Sequence, residues 1–125
     1  MTVLVAYAHT PEGEAALRHG RRLASKDGSD LAVFDLDESS SADDHGIDPT
    51  VADGEGESSR WYARASESRS AAGDLLDLAA ELDVELIVVG VRRRSPIGKL
   101  VLGSNAQQII IDAHVPVLAV KSEAS

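Results

Sequence analysis

The chain has 125 residues, no cysteine, and 21 Asp and Glu against 12 Lys and Arg, which gives a formal net charge of −9. That length suits one domain with a single two- or three-layer core, and the missing cysteines exclude disulfides, thiol catalysis and four-cysteine zinc sites. The acidic balance excludes broad contact with nucleic acid or anionic lipid; with nine of its twelve basic residues arginine, such a surface suits concentrated salt, where charges are screened over about 3 Å at 1 M, and it also serves plain solubility.

Residues 3–8, VLVAYA, form a continuous apolar run and predict a buried first strand. No basic leader precedes it, and no apolar stretch reaches the roughly 20 residues of a membrane span, so a cytoplasmic protein without a membrane partner is expected. The following stretch, TPEGEAALRHGRRLASKDG, carries Ala16, Leu17, Gly20, Leu23 and Ala24 at helical spacing. Thr10 is placed to cap that helix, Pro11 suits its first turn, Glu12 and Glu14 lie near its positive end, and Gly28 stops it. LAVFDL at 31–36 predicts the second strand.

From Asp37 to Arg60 only Ile47 and Val51 are sizeable apolar residues, and Gly46, Pro49, Gly54 and Gly56 interrupt any helical face. Residues 37–60 are therefore read as a mobile acidic loop standing in place of a helix. A short strand follows from Trp61 to Ala65. Ala71, Ala72, Leu75, Leu76, Ala79 and Leu82 then mark one helix face despite Gly73, and LIVVG at 86–90 is a fully buried strand ended by its glycine. SNAQQIIIDAH predicts a helix from Ser104 and Asn105, and VPVLAV at 115–120 the last strand. The alternation predicts an α/β fold, a three-layer α/β/α sandwich on a five-stranded, mainly parallel sheet with right-handed crossovers. Ligands of such sheets bind beyond the carboxyl ends of the strands.

The segment GVRRRSPIGKLVLGSNA, residues 90–106, carries most of the functional information. As a Walker-type phosphate loop it fails twice, because the first glycine falls on Arg93 and the magnesium-binding hydroxyl on Leu100. A buried strand ending in Gly90, a loop, and Gly103-Ser104 opening a helix resemble instead the nucleotide loop of the universal stress protein family, G-x-x-G, nine residues, then Gly and Ser or Thr. VLVAYAHTPEGEAAL, GDLLDLAAELDVELIVVG and VPVLAV resemble that family's first strand and helix, third helix and fourth strand, and terminal strand, so the likeness covers nearly the whole chain. Two positions depart: Arg93 replaces the second glycine, and Ala8-His9-Thr10 stand where ATP-binding members have an aspartate that meets the adenosine.

The resemblance implies an adenine nucleotide alpha hydrolase-like, Rossmann-related architecture, ATP with accompanying magnesium as cofactor, and Gly90, Arg92, Arg93, Gly103, Ser104 and Asn105 as the binding residues. Physically, bare glycines let backbone approach a phosphate, and the unpaired amides of a helix beginning at Ser104 attract an anion. Arg92, Arg93 and Arg94 bind phosphate oxygens, or they neutralise nearby acids or reach across a subunit interface; the residues alone leave these alternatives open. The family also implies a homodimer through the terminal strand, Val115–Val120, whose edge would otherwise invite pairing, with Pro116 acceptable there.

His9, His19, His45 and His114 show no metal-ligand spacing, and Asp43–Asp44 reads as a solvated face rather than a magnesium site. Trp61 and Tyr62 read as edge packing rather than a base-stacking pair. The expected function is a small dimeric stress-response module that binds an adenine nucleotide or related phosphate anion. The alternative is a family member that binds no nucleotide and acts through protein–protein contact. Slow ATP hydrolysis finds no identifiable general base.

Overall fold

Thr2–Tyr7 form β1, in a computed structural model that describes residues 2–36, 59–63, 70–94, 99–101 and 103–121. The chain continues through α1 (Pro11–Asp27), β2 (Asp30–Asp35), β3 (Ser59–Ala63), α2 (Ala71–Glu81), β4 (Leu86–Arg94), β5 (Lys99–Val101), α3 (Ser104–Asp112) and β6 (Val117–Lys121). Five strands lie parallel in the order β3-β2-β1-β4-β6, with Val5 opposite Val33 on one side and Val88 on the other, and Val88 opposite Leu118. β5 adds a short antiparallel partner to the far end of β4.

Alternation along β1 builds the three layers. Val3, Val5 and Tyr7 share one buried cluster with Ala15, Ala16, Leu17 and Ala24 of α1, while Leu4 and Ala6 share the other with Leu75 and Ala79 of α2 and Ala106 and Ile109 of α3. The small residues of α1 bring it close to the sheet; a Cβ on Gly20 would overlap the Val5 Cγ2 methyl. Gly28 closes α1 in the left-handed region, at φ 67°, and donates to the carbonyls of Ala24 and Ser25. Asp83, at φ 53°, makes the equivalent turn after α2.

The α/β sandwich and its parallel sheet are as the periodicity predicts, but several boundaries move. β1 ends at Tyr7, and β3 starts at Ser59, with Arg60 opposite Ala32, so the acidic stretch expected to remain a loop through residue 60 gives its last two residues to the sheet. The rest of that stretch, residues 37–58 with Asp43, Asp44 and His45, lies outside the described residues. Gly90 does not end β4. The ladder runs past it, with Gly90 opposite Val120 and Val91 opposite Lys121, and Arg92 to Arg94 pair with β5. Strand pairing supplied by distant segments here outweighs the local breaker signal of the glycine. The final strand begins after Pro116, which has no amide to donate but whose carbonyl accepts from the Ile87 amide at 3.0 Å.

Candidate functional site

At the carboxyl ends of β1, β2 and β4 a cleft of about 300 Å³ opens between the first turns of α1 and α3. This is the position that an open parallel sheet favours for a ligand. Its apolar floor comes from Ala6, Leu36, Val89 and Ala106. Thr10, Glu12 and Gly13 form the α1 wall, and Gly103, Ser104 and Asn105 the α3 wall. Ala8 lines the cleft at the end of β1, so the position where an aspartate would meet adenosine is present and apolar.

The helix starts differ in how their orphan amides are used. The Thr10 hydroxyl oxygen accepts from the Gly13 amide at 3.0 Å, and the Ser70 hydroxyl oxygen accepts from the Gly73 amide at 3.0 Å. α1 adds Glu12 and Glu14 in its first turn, and α2 adds Asp74. α3 starts at Gly103 without a side-chain cap and without an acid in its first turn. Its positive end therefore faces the cleft unneutralised by its own residues.

The two glycines of the motif have different neighbours. A Cβ on Gly90 would overlap the main-chain carbonyl of Glu12 and come within 3.0 Å of the Glu12 Cβ, whereas nothing lies within 4 Å of a Cβ placed on Gly103. Gly90 thus makes room for the first turn of α1, and Gly103 faces open space. Gly103 has φ −64° and ψ 163°, extended values that any residue adopts. Its bareness serves access rather than backbone strain.

Arg92 and Arg93 lie two and three residues beyond Gly90 on β4, opposite Val101 and Leu100. The span expected to form a loop is, at these positions, one arm of an antiparallel pair; the arginine side chains lie outside the described residues. Of the six predicted binding residues, Gly90, Gly103, Ser104 and Asn105 line the same cleft. The apolar floor and the α1 wall escaped motif reading, although their location at strand ends was a usable signal.

Tyr7 supplies a second feature that motif reading missed. Fully buried, it donates its hydroxyl to Glu14 Oε1 at 2.5 Å, and the same oxygen lies 3.4 Å from Nδ1 of the exposed His9. Its ring centroid is 5.4 Å from that of Trp61, with the planes at 59°. Trp61 is therefore packed against the core, and Tyr7 ties the end of β1 to the helix turn that walls the cleft. Among the described residues no group of three or more His, Cys, Asp or Glu side chains is placed to hold a metal ion, and no helix is long and apolar enough to cross a membrane.

Comparison with known proteins agrees with this arrangement. A family model described as the Universal stress protein family matches residues 1–121. A universal stress protein of Mycolicibacterium smegmatis is 35% identical over 129 residues, covering 95% of this chain and 96% of the relative. Among solved structures, a universal stress protein from Archaeoglobus fulgidus superposes with a TM-score of 0.65 at 28% identity, covering 97% of this chain and 98% of that one. Another from the same organism, solved in complex with dAMP, gives 0.58 at 21% identity over 97% and 98% of the two chains, a likeness of fold.

Proposed function

The chain belongs to the universal stress protein family, and from that premise we propose that its cleft binds an adenine nucleotide or a related phosphorylated anion, in a homodimer built on β6. The carrying observation is the uncapped start of α3, open to the cleft at Gly103. Amides of that turn hold the anion, with Ser104 and Asn105 beside it. Gly90 forms part of the floor, and Arg92 and Arg93 add positive charge along the same strand. Ala6, Leu36, Val89 and Ala106 give the nucleoside an apolar bed. The dAMP complex of the Archaeoglobus fulgidus neighbour supports an adenine nucleotide as ligand. With Ala8 in place of a carboxylate, the adenosine end rests on contact rather than on a charged anchor. ATP enters with its own magnesium. The protein is placed in the cytoplasm.

β6 pairs with β4 on one side, and its Leu118 is 39% exposed; α3 separately exposes Ile110 at 39% and Ile111 at 70%. A second copy across a twofold axis covers such an edge. The same exposed residues favour the rival reading, contact with another protein without any nucleotide.

Titration of ATP, ADP, AMP and inorganic phosphate into nucleotide-free protein at high salt, read as melting temperature, tests the proposal. At a ligand concentration 100 times Kd the native state gains about 2.7 kcal/mol, or about 10 °C for a domain of this size. No shift with any nucleotide would overturn it in favour of the interaction module. An equal shift with sulfate would reduce the site to a general anion nest.

A further inference from the structure

We infer a second ligand site, at the pole of the sheet opposite the cleft, for a short alkylammonium ion: a carbon chain that ends in a primary ammonium. A pocket of about 120 Å³ opens there, beside the amino ends of β4 and β6 and the carboxyl end of α2. Buried Ala79, Val84 and Ile87 form its floor, and half-buried Leu76 and Val115 complete the apolar lining. An apolar cavity of about 150 Å³ accepts benzene, so this one has room for roughly four or five carbons and none for a nucleoside.

The lining also carries two ionisable side chains, Asp83 and His114, both exposed. Asp83 stands in the left-handed region at φ 53°, the place that Gly28 takes after α1 at φ 67°. Its own amide donates to the Ala80 carbonyl at 3.3 Å, and the next amide, of Val84, donates to the Ala79 carbonyl at 3.0 Å. A position that favours glycine is thus held by a residue that brings a carboxylate to an apolar pocket.

The two helices that end at this pole carry charges of the wrong sign for their own dipoles. α1 closes with Lys26 in its last turn, as the negative end of a helix favours. α2 ends instead on Glu81 and α3 on Asp112, and neither has a basic residue in its last turn. These acids adjoin the lining, since Glu81 follows Ala80 and Asp112 precedes His114 by two residues. Helix ends and carboxylates together make the pole attractive to a cation. Among the described residues no group of three or more His, Cys, Asp or Glu is placed to hold a metal ion, and the apolar floor selects a cation with a carbon body. No Phe, Tyr or Trp lines the pocket, so a quaternary ammonium lacks the aromatic faces it binds on. A primary ammonium fits better, because it donates charge-assisted hydrogen bonds to the Asp83 carboxylate.

The test is a titration of the full chain, followed by amide resonances in solution NMR, with n-butylammonium, methylammonium, 1-butanol and butyrate in 0.1 M KCl. Butylammonium is expected to shift the amides of Val84, Ile87 and Val115 saturably. Methylammonium and 1-butanol should bind at least fivefold more weakly, and butyrate should leave these amides unmoved. Asp83→Asn keeps a residue that tolerates the left-handed region and should weaken butylammonium at least fivefold. Ala80→Leu, at an exposed helix position on the lining, should block it. In 1 M KCl, where screening shortens to about 3 Å, affinity should fall at least twofold. Butanol as tight as butylammonium would overturn the inference by removing the charge, and methylammonium as tight would do so by removing the apolar body. Absence of saturable shifts at the three amides, or an Asp83→Asn protein that binds like the parent, would overturn it as well.

Discussion

Replacing Gly90 by alanine tests whether this glycine serves the ligand or the fold. The new methyl would overlap the carbonyl carbon and oxygen of Glu12 and sit 3.0 Å from its Cβ. Two of those atoms are main chain in the first turn of a helix, so they yield only if α1 moves off the sheet. Overpacking of a rigid site costs about 1–3 kcal/mol, and a main-chain obstacle belongs at the upper end. For a domain between the small and large classes, about 4 °C per kcal/mol converts this to a fall of about 8–12 °C in melting temperature. Gly103→Ala provides the contrast, because nothing lies within 4 Å of its new methyl. Alanine is a poorer N-cap than glycine by about 0.5–1 kcal/mol, and it lowers unfolded-state entropy by a similar 0.4–1 kcal/mol, so the melting temperature should stay within about 2 °C. The methyl does crowd the approach to the α3 turn, and AMP affinity should fall at least fivefold. Trp61, the single tryptophan, packs on Tyr7 and reports unfolding by fluorescence. A Gly90→Ala protein that melts within 2 °C of the parent would refute the packing argument and return Gly90 to the ligand.

Three other outcomes follow from the same geometry. Tyr7→Phe removes the donor to Glu14 while keeping the ring on Trp61; loss of a hydrogen bond to a half-exposed carboxylate should cost about 1–2 kcal/mol, with the tryptophan emission maximum unchanged, and an unaltered unfolding midpoint in urea would show that the bond contributes nothing. Leu118→Arg puts a charge on the exposed edge of β6, so with the proposed β6 interface light scattering should find dimer for the parent and monomer for the variant; a variant as dimeric as the parent would move the interface elsewhere. With a net charge of −9, the melting temperature should rise by several degrees between 0.1 and 1 M KCl as the screening length shrinks from about 10 to 3 Å, and a flat profile would remove the case for salt adaptation.

The elements most legible in the sequence are those whose signal is local. The cap at Thr10, the stop at Gly28 and the apolar spacing between them define α1 to within a residue at each end, because a helix satisfies its own backbone. β1 and β2 were readable for a related reason: strands buried on both faces read as unbroken apolar runs. β4 beyond Gly90 was not. Three arginines followed by serine, proline, isoleucine and glycine read as a loop, and what makes Arg92 to Arg94 a strand is pairing with Lys99 to Val101, a tertiary contribution without a local pattern. The cleft divides in the same way. Gly90, Gly103, Ser104 and Asn105 were legible as a spacing, whereas Leu36 and Ala106 enter only through the folded arrangement of β2 and α3.

A glycine in a sequence states that something comes close, but not what. At Gly90 the neighbour is Glu12 of the chain itself, and at Gly103 it is empty space. The motif spacing treats both as equal parts of a phosphate loop, and both line the cleft, yet only at Gly103 is the Cβ position itself open space. Arg93 at the motif's second glycine position is compatible with this division, since an extended strand residue needs none of glycine's freedom and Arg93 sits opposite Leu100 in such a strand. Conversion of loop to hairpin between the two glycines thus accounts for the arginine without making it an obstruction. It also turns the proposed anion site toward the one helix start, among the described residues, that its own side chains leave uncapped, the first turn of α3.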